Sequence, residues 1–526
     1  MLDWSLPYPA SRSPVFARNL VATSQPLATQ AGVEALAAGG NAVDAALAAA
    51  ITLTVVEPNN NGIGSDAFAL IWDGKDLRGL NASGRSPATL DPADFTGEDR
   101  MPIHGWNAVT VPGAVSAWVE LSRHYGKLPF TRLFERAIHY AEQGYAVGPK
   151  TAPYWRLAVE AFKDRAPFIE TFALKGLAPE VGQTIKLPDH AVSLKEIAET
   201  RGESFYRGRL AECIAADAAQ HGGKMTVEDL ANHRCEWVEP ISTEFAGCTL
   251  HEIPPNGQGL MALIAAGILR HTNVLEFALD SVDSVHLQVE AMRIAYANIA
   301  RHLADIDRMQ VASDDLLDDA FLAARADEIN LQQANPSPTS LGAAADTVYL
   351  TAADAQGMMV SFIQSNYMGF GSGVVVPGTG ISLQNRGAGF VLTEGHPNRV
   401  GGGKRPYHTI IPGFVSRDGE PLMSFGVMGG HMQAQGHLQM LIRVGHYGQN
   451  PQAASDAPRW HLLEDGRLAL EDGFDSDVAA ALAARGHQLL RGGPEFLFGG
   501  AQLIARYGDG YVAGSDHRKE GHAAGF

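Results

Sequence analysis

Cysteine is almost missing from this chain. Cys213, Cys235 and Cys248 are its only three in 526 residues, and no two of them form a CxxC pair. An odd, scattered set excludes a disulfide framework and a thiolate metal site, and it fits a reducing, cytoplasmic compartment. Basic charge is in short supply as well. With a formal net charge of −18, most of the surface would repel nucleic acid or an anionic membrane, so neither is expected as a partner. Long apolar runs are absent too. The most apolar stretch, "AALAAAITLTVV" (45–56), follows Asp44 directly and falls short of the roughly 20 residues that cross a bilayer, so it reads as a buried helix. The opening "MLDWSLPYPASRSP" has neither the basic nor the apolar region of a secretory signal, and export by the general route is not expected.

Several functional motifs are missing. "GFGSGVVVPGTG" (369–380) does not satisfy G-x-G-x-x-G, "GGGKRP" (401–406) lacks the spacing and the hydroxyl residue of a phosphate loop, and no G-x-S-x-G elbow occurs. His431 and His437 are six apart, off the i, i+4 spacing that places two ligands on one helical face, so they read as packing or surface histidines. No metal or cofactor is expected.

What is present is a globular composition, 45% hydrophobic and 19% charged, with 57 glycines, a surplus that points to many tight turns and close backbone approaches. Residues 27–57 read as a helical hairpin: "PLATQAGVEALAAGG" closes on Gly39-Gly40, and Asn41 caps "AVDAALAAAITLTVVE". Alternating apolar residues around Asp73-Gly74 predict a β-hairpin. From about 114 to 345 the pattern is mostly helical, ending in "NLQQANPSPTSLGAAAD" (330–346), which has little to bury and reads as loose chain. After it come short alternating runs, "TVYLTAAD", "MMVSFIQS", "PLMSFGVM" and "AQLIARYG", with two helices, "MQAQGHLQMLIRVGHYG" and "DVAAALAARG". Such a mixture suits sheets packed between helices.

Thr347 opens the first of those strands. A Thr hydroxyl is a poor nucleophile without a base, but a chain cut just before Thr347 supplies one in its own new α-amine. That amine has an unperturbed pKa of roughly 7.7–8.0, so a useful fraction is neutral near pH 7. Taken alone, Thr347 reads as a β-branched residue starting a strand. Two features favour the catalytic reading: the loose chain before it, and "SFGVMGGHMQAQGH" (424–437), where Gly429-Gly430 between a strand and a helix would aim backbone N–H groups at one point.

Taken in order, these residues resemble the γ-glutamyltranspeptidases, hydrolases that cleave themselves before a Thr. The resemblance rests on "EALAAGGNAVDAALAAAITLTVVEP" (34–58), "NNNGIGSDAF", "IPPNGQG" (253–259), "TVYLTAADAQG" (347–357), "FGSGVVVPGTGISLQN" (370–385), "GKRPYHTIIP" (403–412), "GVMGGH" (426–431) and "GSDHRKEG" (514–521). It implies an α+β fold, a four-layer αββα sandwich, and cleavage into a large subunit, 1–346, and a small one, 347–526. It also implies that Thr347 is nucleophile and base, that Ser365 orients it where the family has a Thr, and that Gly429 and Gly430 form the oxyanion pair. The subunits of one precursor and a small amide substrate with a water or amine acceptor would be its partners, and oligomeric state is left open, a homo-oligomer included.

The donor site departs from the glutathione-cleaving members. Where those have N-N-Q-M-D-D-F, this chain has "QNRGAGF" (384–390), with Asn385 kept, Arg386 in place of the Gln and Gly389 in place of the Asp that holds an ammonium. Tyr367 stands for a donor-binding Asn, Ser83 for the Arg that grips the α-carboxylate, and His408-Thr409 for a Ser-Ser pair; Arg85 lies two residues past Ser83. The pattern resembles the branch that includes cephalosporin-acylase-like enzymes. Arg85, Arg386 and His408 would favour an anionic acyl group such as glutaryl over a zwitterionic glutamyl head. The connection from Phe390 to Pro406 is shorter than the lid-bearing loop of bacterial glutathione-type members, implying a more open pocket. Ordinary γ-glutamyltranspeptidase activity and a catalytically inactive binding protein are the alternatives.

Overall fold

The computed structural model describes residues 12–335 and 346–526. The loose-chain reading of 330–346 falls mostly outside the described residues, as does most of the N-terminal stretch. Two seven-stranded sheets form the middle of the molecule. In spatial order the first is His522–Gly525, Leu20–Thr23, Asp346–Ala353, Met359–Tyr367, Asp66–Trp72, Leu77–Ala82 and Glu236–Val238. The second is Val15–Ala17, Gly510–Ser515, Gly500–Tyr507, Glu420–Met428, Gly413–Arg417, Cys248–Glu252 and Ile241–Phe245. Every pairing within them is antiparallel. Both sheets mix strands from before and after Thr347, so the two segments share their cores.

Alternation in sequence becomes two-sided burial. Val348, Leu350 and Ala352, with Ala67, Ala69 and Ile71, face one apolar cluster, while Tyr349 and Ala353, with Phe68 and Leu70, face the other. Helices Pro26–Ala37 and Ala42–Val56 cover the outer face of the first sheet. Gly259–Arg270 and Met432–Met440 cover the second, with Val282–His302 packed on Gly259–Arg270. The result is the four-layer αββα sandwich. All of Ala42–Val56 is buried, which explains an apolar run too short for a membrane; among the described residues no helix is long and apolar enough to cross one.

Local signals act as expected at the ends of elements. Asn41 accepts from Asp44 N–H at 3.0 Å and Asp44 accepts from Asn41 N–H at 3.0 Å, a reciprocal cap. Asp354, in the turn after Asp346–Ala353, accepts from Ala42 N–H at 2.9 Å and so fastens that hairpin to the helix start. The described part of 114–345 is mostly helical, as its pattern indicates, and it also supplies Glu236–Val238, Ile241–Phe245 and Cys248–Glu252 to the sheets. These strands are only three to five residues long, and position at or near a sheet edge decides them more than propensity. The helix from Met432 is α-helical only to Met440 and continues as a π-helical segment, Leu441–His446.

Candidate active site

Thr347 is completely buried and sits at an irregularity in its ladder. Asp346 pairs with Tyr367 and Val348 with Gln364, so Thr347 alone opposes both Ser365 and Asn366. A bulge of this kind takes the peptide out of regular pairing. Thr347 Oγ1 donates to Ser365 Oγ at 3.1 Å, and Ser365 Oγ also accepts from Tyr367 N–H at 2.8 Å. Gln433 Nε2 reaches Thr347 Oγ1 at the outer limit of a hydrogen bond, 3.5 Å, with its Oε1 held by Ile411 N–H at 3.0 Å. Tyr367 itself has φ +78°, a conformation that costs a non-glycine residue about 1–3 kcal/mol and recurs at functional sites.

The glycine pair lies where the second sheet meets this strand. Thr351 Oγ1 and Ser424 Oγ are 2.6 Å apart, and a Cβ on Gly426 would come within 2.4 Å of the Tyr349 ring. Each two-residue step along one strand is matched on the other, so the next step brings Thr347 to the end of Glu420–Met428. There Gly429 and Gly430 take φ +122° and +59°, values in the region where glycine is favoured. The helix Met432–Met440 follows. Among the described residues neither glycine N–H donates a hydrogen bond, leaving two donors beside the nucleophile strand.

The donor-site residues divide. Arg386 is fully buried, donates from Nη1 to Thr409 Oγ1 at 2.7 Å, and stacks 4.1 Å over the Tyr367 ring. Its Nε and Nη2 have no hydrogen-bond partner among the described residues. Burial lowers its pKa to about 10, so it remains a cation at neutral pH. Asp66, directly opposite Ser365 in the first sheet, accepts from Gly113 and Gly84 N–H and from His408 Nε2 at 3.1 Å. Burial raises the Asp66 carboxyl to about 7, with Arg386 only partly opposing it.

Three expectations are corrected by their contacts. His408 supplies no charge: burial first, then Arg386 and Arg405, lower its pKa well below the ordinary value, and its Nδ1 accepts from Ile410 N–H. Arg85 pairs with Asp305 at 2.7 Å and lies 3.5 Å from Glu236, so its charge is already answered. Asn385 spends its amide on the backbone, giving Nδ2 to Ile103 O at 2.8 Å and accepting Met368 N–H at 3.1 Å. The short 390–406 connection is also a fastened wall: Asn398 bridges Gly389 O and Tyr407 N–H, and Phe390 and Val400 join Leu90, Phe95 and Met101 in a small apolar cluster. His431 and His437 are both buried, His437 against Glu252 at 2.6 Å and His431 against the Tyr407 hydroxyl at 3.0 Å.

Sequence reasoning missed Asp66, Gln258 and Gln433. Gln258 Nε2 donates to the carbonyls of Thr409 and Gly430, and its Oε1 accepts from the Tyr407 hydroxyl at 2.8 Å, tying the glycine turn to the 407–409 segment. Asp66 and Gln258 lie inside "NNNGIGSDAF" and "IPPNGQG", but those motifs carry no sign of which side chain turns inward.

A family model described as "Gamma-glutamyltranspeptidase" matches residues 28–526. The oxamate amidohydrolase proenzyme of Klebsiella pneumoniae is 36% identical over 516 residues, covering 95% of this chain and 97% of its own length. The glutathione hydrolase-like YwrD proenzyme of Bacillus subtilis is 33% identical over 526 residues, covering 98% and 100%. The crystal structure of cephalosporin acylase from Bacillus halodurans superposes with a TM-score of 0.95 at 48% identity, covering 100% of this chain and 99% of that one. On matches that run almost from end to end, the chain belongs to the γ-glutamyltranspeptidase family and is an enzyme of its hydrolase and transferase kind.

Proposed function

We propose that this protein is a self-processing threonine amidohydrolase or acyltransferase that acts on γ-glutamyl- or glutaryl-type amides through an acyl-enzyme on Thr347. The observation that carries the reading is the Thr347 hydroxyl, 3.1 Å from Ser365 Oγ, at a ladder bulge next to a turn with two unpaired N–H groups. In processing, Thr347 Oγ adds to the carbonyl carbon of Asp346, the C–N bond between them breaks as the nitrogen takes the proton, and water hydrolyses the resulting ester. Asp346 becomes a carboxyl terminus and Thr347 gains a free α-amine. Residues 1–346 and 347–526 then stay together through their shared sheets.

In turnover the α-amine takes the Oγ proton while Oγ adds to the substrate carbonyl, and the Gly429 and Gly430 N–H groups hold the oxyanion. The amine product leaves with that proton, and water or a second amine resolves the ester. Arg386 supports a carboxylate-bearing acyl group, since its free Nε and Nη2 form the side-on fork that a carboxylate engages with two bonds. Oxamate, in the name of one relative, likewise carries a carboxylate beside its amide. The three free cysteines fit a cytoplasmic location.

Mass spectrometry of the purified protein tests the nucleophile: a fragment beginning at Thr347 is expected, and none from Thr347→Ala. Comparing kcat/KM for glutaryl and γ-glutamyl anilides tests the acyl group. A glutaryl preference is expected, and a strong γ-glutamyl preference would overturn the role given to Arg386.

A further inference from the structure

Gln433 is the second residue of the helix Met432–Met440, which follows the Gly429-Gly430 turn, and both Gln433 and Thr347 are fully buried. Its side-chain amide has one orientation. Oε1 accepts from Ile411 N–H at 3.0 Å, and turning the group over would set an NH2 against that N–H. Nε2 therefore faces Thr347 Oγ1, at 3.5 Å. Thr347 Oγ1 gives its own proton to Ser365 Oγ at 3.1 Å, so among the described residues Gln433 is the one donor that reaches Oγ1. The donor is also in register with the glycine turn. Gln433 N–H donates to Gly430 O at 3.2 Å, and Gln258 Nε2 holds the same carbonyl at 2.8 Å.

Such a donor matters at one stage of the reaction more than at another. When Thr347 Oγ adds to a carbonyl, negative charge collects on the carbonyl oxygen, which the glycine N–H groups hold. When the ester is resolved, charge returns to Oγ as the C–Oγ bond breaks. We propose that Gln433 is a further catalytic residue, whose Nε2–H donates to Thr347 Oγ1 as that oxygen leaves. Water adds to the ester carbon and gives a proton to the free α-amine, the C–Oγ bond breaks, and Oγ takes that proton back while Nε2–H steadies its developing charge. The same step ends processing, where the ester joins Asp346 to Thr347 Oγ, and it recurs in every turnover. The inference rests on the nucleophile reading above and adds a residue to it. In the uncut chain Thr347 is tied through Asp346, which pairs with Tyr367, and catalytic hydrogen bonds are often long until the reacting complex forms.

Processing supplies a test that needs no substrate. Gln433→Met keeps the length of the side chain and removes the donor. Its precursor should accumulate the ester between Asp346 and Thr347, detected as cleavage there by neutral hydroxylamine, with ester hydrolysis slowed roughly 100-fold, as for the loss of one oxyanion donor. On whichever of the glutaryl and γ-glutamyl anilides the wild type cleaves, the processed variant should release a burst of aniline and carry the acyl group on its 347–526 subunit in the mass spectrum. Gln439→Met is the control, since Gln439 is buried on the same helix and its Nε2 bonds Gln435 O and Trp460 O instead of Thr347. It should process without a trapped ester. The proposal is overturned if Gln433→Met shows neither a hydroxylamine-labile ester nor an acylated subunit, or if Gln439→Met traps the same ester. Should Gln433→Met not fold, a crystal structure of the processed wild type decides: Nε2 should lie within about 3.2 Å of Oγ1, and a longer separation overturns the proposal. A wild type that yields no fragment beginning at Thr347 fails the nucleophile reading itself, and this inference with it.

Discussion

Asp516 and Asp66 are both fully buried carboxylates beside buried arginines, yet their surroundings differ in kind. Asp516 accepts from Ala501 N–H at 2.6 Å, from Arg518 N–H at 2.8 Å and Arg518 Nη1 at 3.1 Å, and pairs with Arg459. Burial pushes its pKa up, but Arg459 and Arg518 outweigh that and hold it below the usual range. Arg518 in turn grips Glu471 with two bonds of 2.6 Å. Of the Arg459 nitrogens, only Nε is left unpaired. Around Asp66 the cation with the largest influence, Arg386, makes no direct bond to it and, among the described residues, keeps Nε and Nη2 open. A buried ion pair that is closed on itself serves as a staple, whereas a buried cation with an open edge has unused binding capacity. The Asp516 centre ties the C-terminal strands to the 455–471 segment; the Arg386 centre leaves two buried N–H donors open, as the proposed acyl carboxylate requires.

Substitutions break this comparison in order of size. Asp516→Asn leaves two arginines facing each other without their anion and should destabilise the fold by about 3–5 kcal/mol, read as a large fall in melting temperature with loss of the processed form. Arg386→Met should do the reverse. Stability should hold or rise, while kcat/KM for glutaryl amides drops roughly 30- to 1,000-fold, as for a buried charge that loses its partner. A comparable fall in melting temperature in Arg386→Met would mean that both centres are staples.

The smallest effect sharpens the comparison through pH. The Asp66 carboxyl is raised to about 7 in the folded chain, so the native state binds its proton more tightly than the unfolded chain. Its stabilising contribution is full below about pH 4 and is lost as pH rises through 7. Asp516 has the opposite sign: its contribution is present above the unfolded carboxyl range and is lost as pH falls through and below it. The melting-temperature advantage of wild type over Asp66→Asn should therefore shrink between pH 5 and 8. The advantage over Asp516→Asn should shrink only on acidification below about pH 4. A constant Asp66→Asn difference from pH 5 to 8 would mean that the carboxyl keeps an ordinary pKa.

Most of the architecture was legible because it rests on local rules. The Asn41 cap, the Asp73-Gly74 hairpin, the alternation from Val348 to Ala353 and the Gly429-Gly430 turn each depend on a few neighbouring residues. The strands at 236–252 were not legible, since short strands near a sheet edge gain their pairing from distant chain. At the site, Thr347, Ser365 and the glycine pair were singled out by motif order. Arg85 and His408 were read as charges because a sequence displays side-chain type and hides its partners: Asp305 lies 220 residues from Arg85, and Asp66 lies 342 from His408.

The order of motifs by itself identified the family, the candidate nucleophile and the departure from the glutathione-type donor site. Only the tertiary structure decided which of three basic residues keeps unpaired donors. Charge in a protein interior is set by burial and by the groups that surround it, and those groups come from strands and loops that meet only when the sheets are assembled.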